Sequence, residues 1–231
     1  MEVKMKNNVE KRKSKKKLRR ILKLSILFLF LILLISYVVV SLIYSNGNFT
    51  ITLDKNLYTQ RSLIVYDDPN YKVYRSELFM KTLPYFDNMA EKWLPADLDA
   101  YDGAHNGDNY MAYTFYIENT GADVTDYWTE MFIDDVLKGL DDVVRVRLYR
   151  NGNYITYAKV SNDGITPEKG TVSFKNNELI MQEHIENFKP GDINKYTIVV
   201  WLEGNDSECT DNILGGEITM HMEFNSQITN K

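Results

Sequence analysis

Three aspartates sit within six residues, Asp97-Leu98-Asp99-Ala100-Tyr101-Asp102. Asp108 follows six positions later, beside Asn106 and Asn109. Carboxylate and amide oxygens are hard ligands, and calcium gathers about six to eight of them. The stretch 97–109, DLDAYDGAHNGDN, is therefore a candidate calcium loop, with Asp97, Asp99, Asp102 and Asp108 as its ligands. It is not an EF-hand. Tyr101 occupies the fifth position, where that loop uses Asp or Asn, and no Glu closes it. A solvated loop end would have the same composition. Asn205-Asp206-Ser207-Glu208 with Asp211 is a second, weaker acidic loop.

Other chemistry is sparse. The three histidines, His105, His184 and His221, fall in no HExxH motif and in no zinc-type His/Cys spacing. A metal-dependent hydrolase would need them to converge with carboxylates around an open coordination position. Alternation along strands accounts for His184 and His221 as solvated residues. Cys209 is the only cysteine, so no intramolecular disulfide forms, and its polar loop offers no base to activate it. There is no phosphate-binding loop, dinucleotide fingerprint or nucleophile elbow. No catalytic residue and no required cofactor are assigned.

The elements that must position these residues are mostly strands. Phe49 to Asp54 alternates apolar and polar, and Ser62 to Tyr66 is a second short strand. Residues 77–98 space Leu78, Phe79, Leu83, Phe86, Met89 and Trp93 at three to four. That predicts one or two short helices or an irregular packed loop, interrupted by Pro84 and ended by Pro95. Met111, Tyr113, Phe115 and Ile117 share one face of the next strand, and outward Tyr110, Tyr116 and Tyr149 could form a partner surface. Tyr127 to Ile133 is a further strand. In Val143 to Tyr149, Val144, Val146 and Leu148 point inward and Arg145 and Arg147 outward. Asn151-Gly152 then predicts a tight hairpin to 154–160. Strands are expected at 171–174 and 178–186. Tyr196 to Leu202, apolar on both faces, belongs at a sheet centre. Glu217 to Phe224 buries Ile218, Met220, Met222 and Phe224. The expected class is all-β: an antiparallel β-sandwich, jelly-roll-like or immunoglobulin-like, with little helix.

A different physics governs the N-terminus. Residues 24–45, LSILFLFLILLISYVVVSLIYS, carry no charge and are long enough to cross a bilayer. Residues 1–23 hold 11 Lys/Arg against 2 Glu, which orients this tail to the cytoplasm and residues 46–231 outward. A cleaved export signal is the alternative, with Val39/Ser41 or Ser45/Gly47 as weak cleavage positions. Beyond residue 23 there are 16 Lys/Arg against 30 Asp/Glu, a formal net of −14 compared with −5 for the whole chain. So acidic a domain lacks the positive patch that nucleic-acid binding requires. It suits divalent cations and basic wall or matrix components.

NGDNYMAYTFYIENTG (106–121), DVVRVRLYRNG (142–152) and IVVWLEGNDSECTDNILGGEITMHMEF (198–224) resemble an uncharacterised family of exported proteins of Gram-positive, Firmicute-type bacteria. That family is more distantly similar to the TasA/camelysin group. The resemblance implies a jelly-roll sandwich at the cell surface or in the biofilm matrix, exported through an N-terminal apolar segment. Camelysin is described as a metalloprotease, but no metal-binding or catalytic motif is matched here, so no catalytic residue carries over. The expectation is a membrane-anchored extracellular protein with a structural, adhesive or matrix-related binding role, open to self-association. A metal-dependent hydrolase or a calcium-dependent binding ectodomain is the alternative.

Overall fold

The structure is a computed structural model that describes residues 21–38, 48–81, 83, 85 and 87–226. The chain divides into two compact units, 1–47 and 48–231. In the first, helix α1 spans Ile21–Val38, and its side chains are exposed all round. At about 1.5 Å per residue its 18 residues reach about 27 Å, close to a bilayer's hydrocarbon thickness. The helix begins three residues before the expected span. Residues 39–45 of that span, and the weak cleavage positions, lie outside the described residues.

The second unit is a β-sandwich. One sheet has five strands in the order β10-β6-β12-β1-β3: Leu179–Phe188, Thr125–Leu137, Glu217–Asn225, Asn48–Leu53 and Glu77–Lys81. The other runs β2-β5-β11-β7-β8-β9: Leu63–Tyr66, Tyr110–Asn119, Ile193–Leu202, Val144–Arg150, Asn153–Ala158 and Val172–Ser173. A short strand, β4 (Gly103–Ala104), also pairs with β5. The inner faces enclose one core. From the seven-stranded sheet come Met111, Tyr113, Phe115 and Ile117 of β5, and Tyr196, Ile198 and Val200 of β11. From the five-stranded sheet come Phe49 and Ile51 of β1, Tyr127 and Met131 of β6, and Met220, Met222 and Phe224 of β12. The layers interlock through aromatic rings: Phe224 sits 5.4 Å from Tyr196 and 5.9 Å from Phe115, centroid to centroid. Where tyrosine hydroxyls enter this core they are satisfied. Tyr127 and Tyr196 share a 3.0 Å hydrogen bond, and Asn194 donates to Tyr127 at 2.6 Å.

The alternation read in the sequence is borne out for β1, β5, β7 and β12, and β11 does lie between β5 and β7. The Asn151-Gly152 hairpin is present, with φ of 52° and 84°. Both sheets, however, are mixed. β1 runs parallel to β12, with Thr50 opposite His221 and Leu53 opposite Phe224, and β8 runs parallel to β9. Nearly the whole domain separates β1 from β12, so no hairpin forces them antiparallel. An all-antiparallel jelly roll has no such pair.

The reading of 77–98 as one or two short helices or an irregular packed loop needs correction at its start. Glu77–Lys81 is a strand paired antiparallel with β1; Leu78 and Met80 are buried and Phe79 is exposed. Ladder pairing beside β1 outweighs a three-to-four spacing that Leu78 and Phe79 share only by adjacency. Residues 87–90 and 94–97 are irregular, and Pro84 and Phe86 lie outside the described residues. Met89 donates its N–H to the Leu202 carbonyl, Glu91–Trp93 makes one tight turn, and Leu94 packs outside the sheet.

Candidate functional site

The outer face of the seven-stranded sheet carries both acidic loops, and it treats them differently. A second, smaller apolar cluster covers part of this face. Val199 and Trp201 of β11, Tyr149 of β7 and Ala112 of β5 lie beneath Met89, Leu94 and Leu98. Tyr149 is therefore packed away rather than displayed. Tyr116 stacks on Tyr66 at 5.2 Å, and Tyr110 reaches the edge of the cluster.

Arg145 and Arg147 do point away from the core, as their register requires, but neither is in solvent. They are 4% and 6% exposed. Arg145 donates to the carbonyl of Val144 at 3.1 Å, forms an ion pair with Asp206, and lies 3.5 Å from Glu168. Asp206 is itself buried, so this is a desolvated pair whose members are costly to separate. Arg147 donates through Nε to the Thr156 hydroxyl at 3.0 Å and through Nη2 to Glu91. Its guanidinium carbon lies 4.3 Å from the Tyr154 ring centroid and 5.3 Å from that of Trp201. Glu203 completes the arrangement by accepting from the Trp201 indole and from the Glu91 backbone N–H, both at 3.0 Å. Around these groups lies a cleft of about 320 Å³, whose walls include Lys92, Lys169, Thr171 and Asn205.

The weaker loop of the sequence reading thus supplies the closest acidic convergence. Among the described residues, Glu168, Asp206 and Glu208 are the group of three whose ligand atoms lie within 4.8 Å of one another. Arg145 pairs with two of the three carboxylates, Asp206 and Glu168, so it is a salt-bridged cluster first. Burial, then the neighbouring Asp142, Asp206 and Glu168 carboxylates, push the Glu208 carboxyl up from its ordinary value. Burial followed by Asp206, Asp87 and Glu203 also raises the Cys209 thiol, which disfavours the thiolate and any nucleophilic role.

The primary candidate loop is arranged differently. Asp97 accepts from the Tyr101 hydroxyl at 3.2 Å. Asp102 accepts from the Tyr116 hydroxyl and lies 3.6 Å from Lys195. Asp99 points toward the Asn151-Gly152 turn. Asp108 stands on the side of Tyr110. Asp97 and Asp108 both adjoin Tyr110, Asp99 and Asp102 are directed elsewhere, and the four form no three-carboxylate group. What the loop does build is a pocket of about 250 Å³ lined by Pro95, Leu98, Tyr101, His105, Asn106 and Tyr110. Both ring nitrogens of His105 face backbone carbonyls, Nδ1 toward Gly103 and Nε2 toward Leu98, each at 2.9 Å. The Asn106 side chain accepts from the Ala112 N–H at 2.9 Å, which ties the loop to β5.

The other histidines belong to the opposite sheet. His184 stacks on Trp128 at 4.4 Å, with Glu186 3.2 Å away. His221 stacks on Phe132 at 5.1 Å and lies between Asp134 and Glu223, at 2.8 and 3.2 Å. Trp128 and Phe132 are four residues apart on β6, so these two histidines sit about 14 Å apart along the strand, at about 3.4 Å per residue. His105 lies beyond β4 on the other sheet. The three therefore do not form one coordination site. The chain matches no protein-family model and no curated protein.

Proposed function

We propose that the protein is a single-pass, membrane-anchored extracellular surface protein whose β-sandwich binds or adheres to a wall or matrix component without catalysing a reaction. One observation carries the reading. A membrane-length apolar helix follows 10 basic residues, carries Lys23 in its first turn, and precedes an acidic sandwich with its own closed core. The basic flank favours a cytoplasmic N-terminus, which leaves the sandwich outside. An acidic domain with clefts on an aromatic-rich sheet face suits recognition of a basic or zwitterionic surface. Strand donation between copies is one route to a structural role. It would require β1 to leave its own partners, β12 and β3, and to withdraw Phe49, Ile51 and Leu53 from the core.

The test is retention of labelled residues 48–231 on protein-stripped cell walls, together with sedimentation of the same fragment. Saturable retention supports adhesion. Concentration-dependent polymers that vanish when residues 48–54 are deleted support a structural role. A monomer that is not retained on the wall overturns both forms of the reading.

A further inference from the structure

We infer that the pocket beneath the 97–109 loop is a binding site for an organic ammonium group, carried on a small molecule or displayed along a polymer. The pocket is small, about 250 Å³, and its lining is aromatic and apolar rather than a ring of converging ligands. Leu98, fully buried, is one of its lining residues. Tyr101 and Tyr110 present ring surfaces, and the His105 ring lies 5.5 Å from that of Tyr101. Both His105 nitrogens are turned to the backbone carbonyls of Gly103 and Leu98, so they are occupied by the loop itself. Asp97, Asp102 and Asp108 do not line the pocket; Asp97 accepts from the Tyr101 hydroxyl, and Asp97 and Asp108 both lie near enough to act on the Tyr110 hydroxyl.

Aromatic faces inside and carboxylates outside are what an alkylammonium requires. Such a cation is too weakly hydrated to need a closed oxygen shell. It gains from the negative faces of aromatic rings, and distant carboxylates raise its local concentration. The surroundings reinforce the sign. Between Lys92 and Lys138 the chain has no Lys or Arg, and Lys195, which faces the loop from a neighbouring strand, lies 3.6 Å from Asp102. One wall is built with little tolerance: a β-carbon on Gly107 would fall 2.2 Å from Cε1 of Tyr110. Gly107 is therefore the space into which the Tyr110 ring fits, and an alanine there would push that ring out of the wall.

This site deepens the surface-binding reading and relies on it only for the origin of the ligand. Its test uses the full chain in a non-ionic detergent, titrated calorimetrically with choline and, separately, with 3,3-dimethylbutan-1-ol, the uncharged isostere. Choline should bind about tenfold more tightly than the alcohol. Tyr101→Leu and Gly107→Ala should each weaken choline about tenfold while leaving the unfolding midpoint within a few degrees. Asp97→Asn should cost about threefold at low salt and less at high salt. Equal affinity for choline and the alcohol, or unchanged binding in both Tyr101→Leu and Gly107→Ala, would overturn the inference. So would the absence of choline binding in the folded wild type. Wall retention that survives this failure leaves the surface reading standing.

Discussion

The two acidic loops on one sheet face have similar compositions and different partners. In 203–211, a buried guanidinium from β7 sits under the carboxylates, and the loop is held down by it. In 97–109, the carboxylates turn to tyrosines, a lysine and the Asn151-Gly152 turn, and none of them lines the aromatic hollow that the loop builds. The difference lies in what the neighbouring strand offers. Arg145 on β7 faces the first loop, whereas Tyr110 and Ala112 of β5 face the second. Counting acids along a chain therefore says little about where a cation is wanted. The decisive partner lies about 60 residues away in sequence for one loop, and for the other the partner is aromatic.

The largest effect should come from removing that partner. Arg145→Met strands Asp206 in a desolvated site and should cost about 3–5 kcal/mol in urea unfolding. A cost below about 1 kcal/mol would mean that Asp206 is solvated and that the contrast between the loops is false. Arg147→Lys keeps the charge but loses the planar stack between Tyr154 and Trp201 and the bond to Thr156. It should cost about 1 kcal/mol and speed hydrogen exchange at Met89, whose N–H is pinned to Leu202 beneath this arrangement.

Glu208→Gln should act in the opposite direction. The Glu208 carboxyl is raised in the folded state, so its protonated form is favoured there. Its ionisation weakens the fold as pH rises from the ordinary glutamate range through the raised folded value. The substitution should therefore stabilise the protein slightly at pH 7, by less than about 0.5 kcal/mol, and should flatten that part of the stability–pH curve. Asp99→Asn, in the other loop, should stay within about 0.5 kcal/mol at pH 7, because no buried cation depends on it. An effect as large as that of Arg145→Met would erase the distinction.

Much of the fold was legible because strands write it in period two. Met111 through Ile117 and Met220 through Phe224 announce their buried faces locally, and Asn151-Gly152 announces its turn. β3 was hidden because five residues next to a proline-broken apolar stretch give too short a period to separate strand from helix. The burial of Arg145 and Arg147 was hidden for a deeper reason. Alternation reports which face of a sheet a residue occupies, not whether 89–94, Glu168 and 203–206 later close over that face. Glu168 carries no local signal at all. The Gly107–Tyr110 fit had one trace, a glycine three residues before a tyrosine in an acidic loop, which acquires meaning only once the loop's backbone is known.

The most direct test of the anchored, external reading is protease treatment of intact cells of the native host, followed by detection of both ends of the chain. The account predicts that the acidic sandwich is digested or shed without lysis, while a short fragment containing Ile21–Val38 stays with the membrane. Two results would contradict it: a sandwich protected until the cells are broken, or one found free in the medium with its N-terminus between residues 39 and 47.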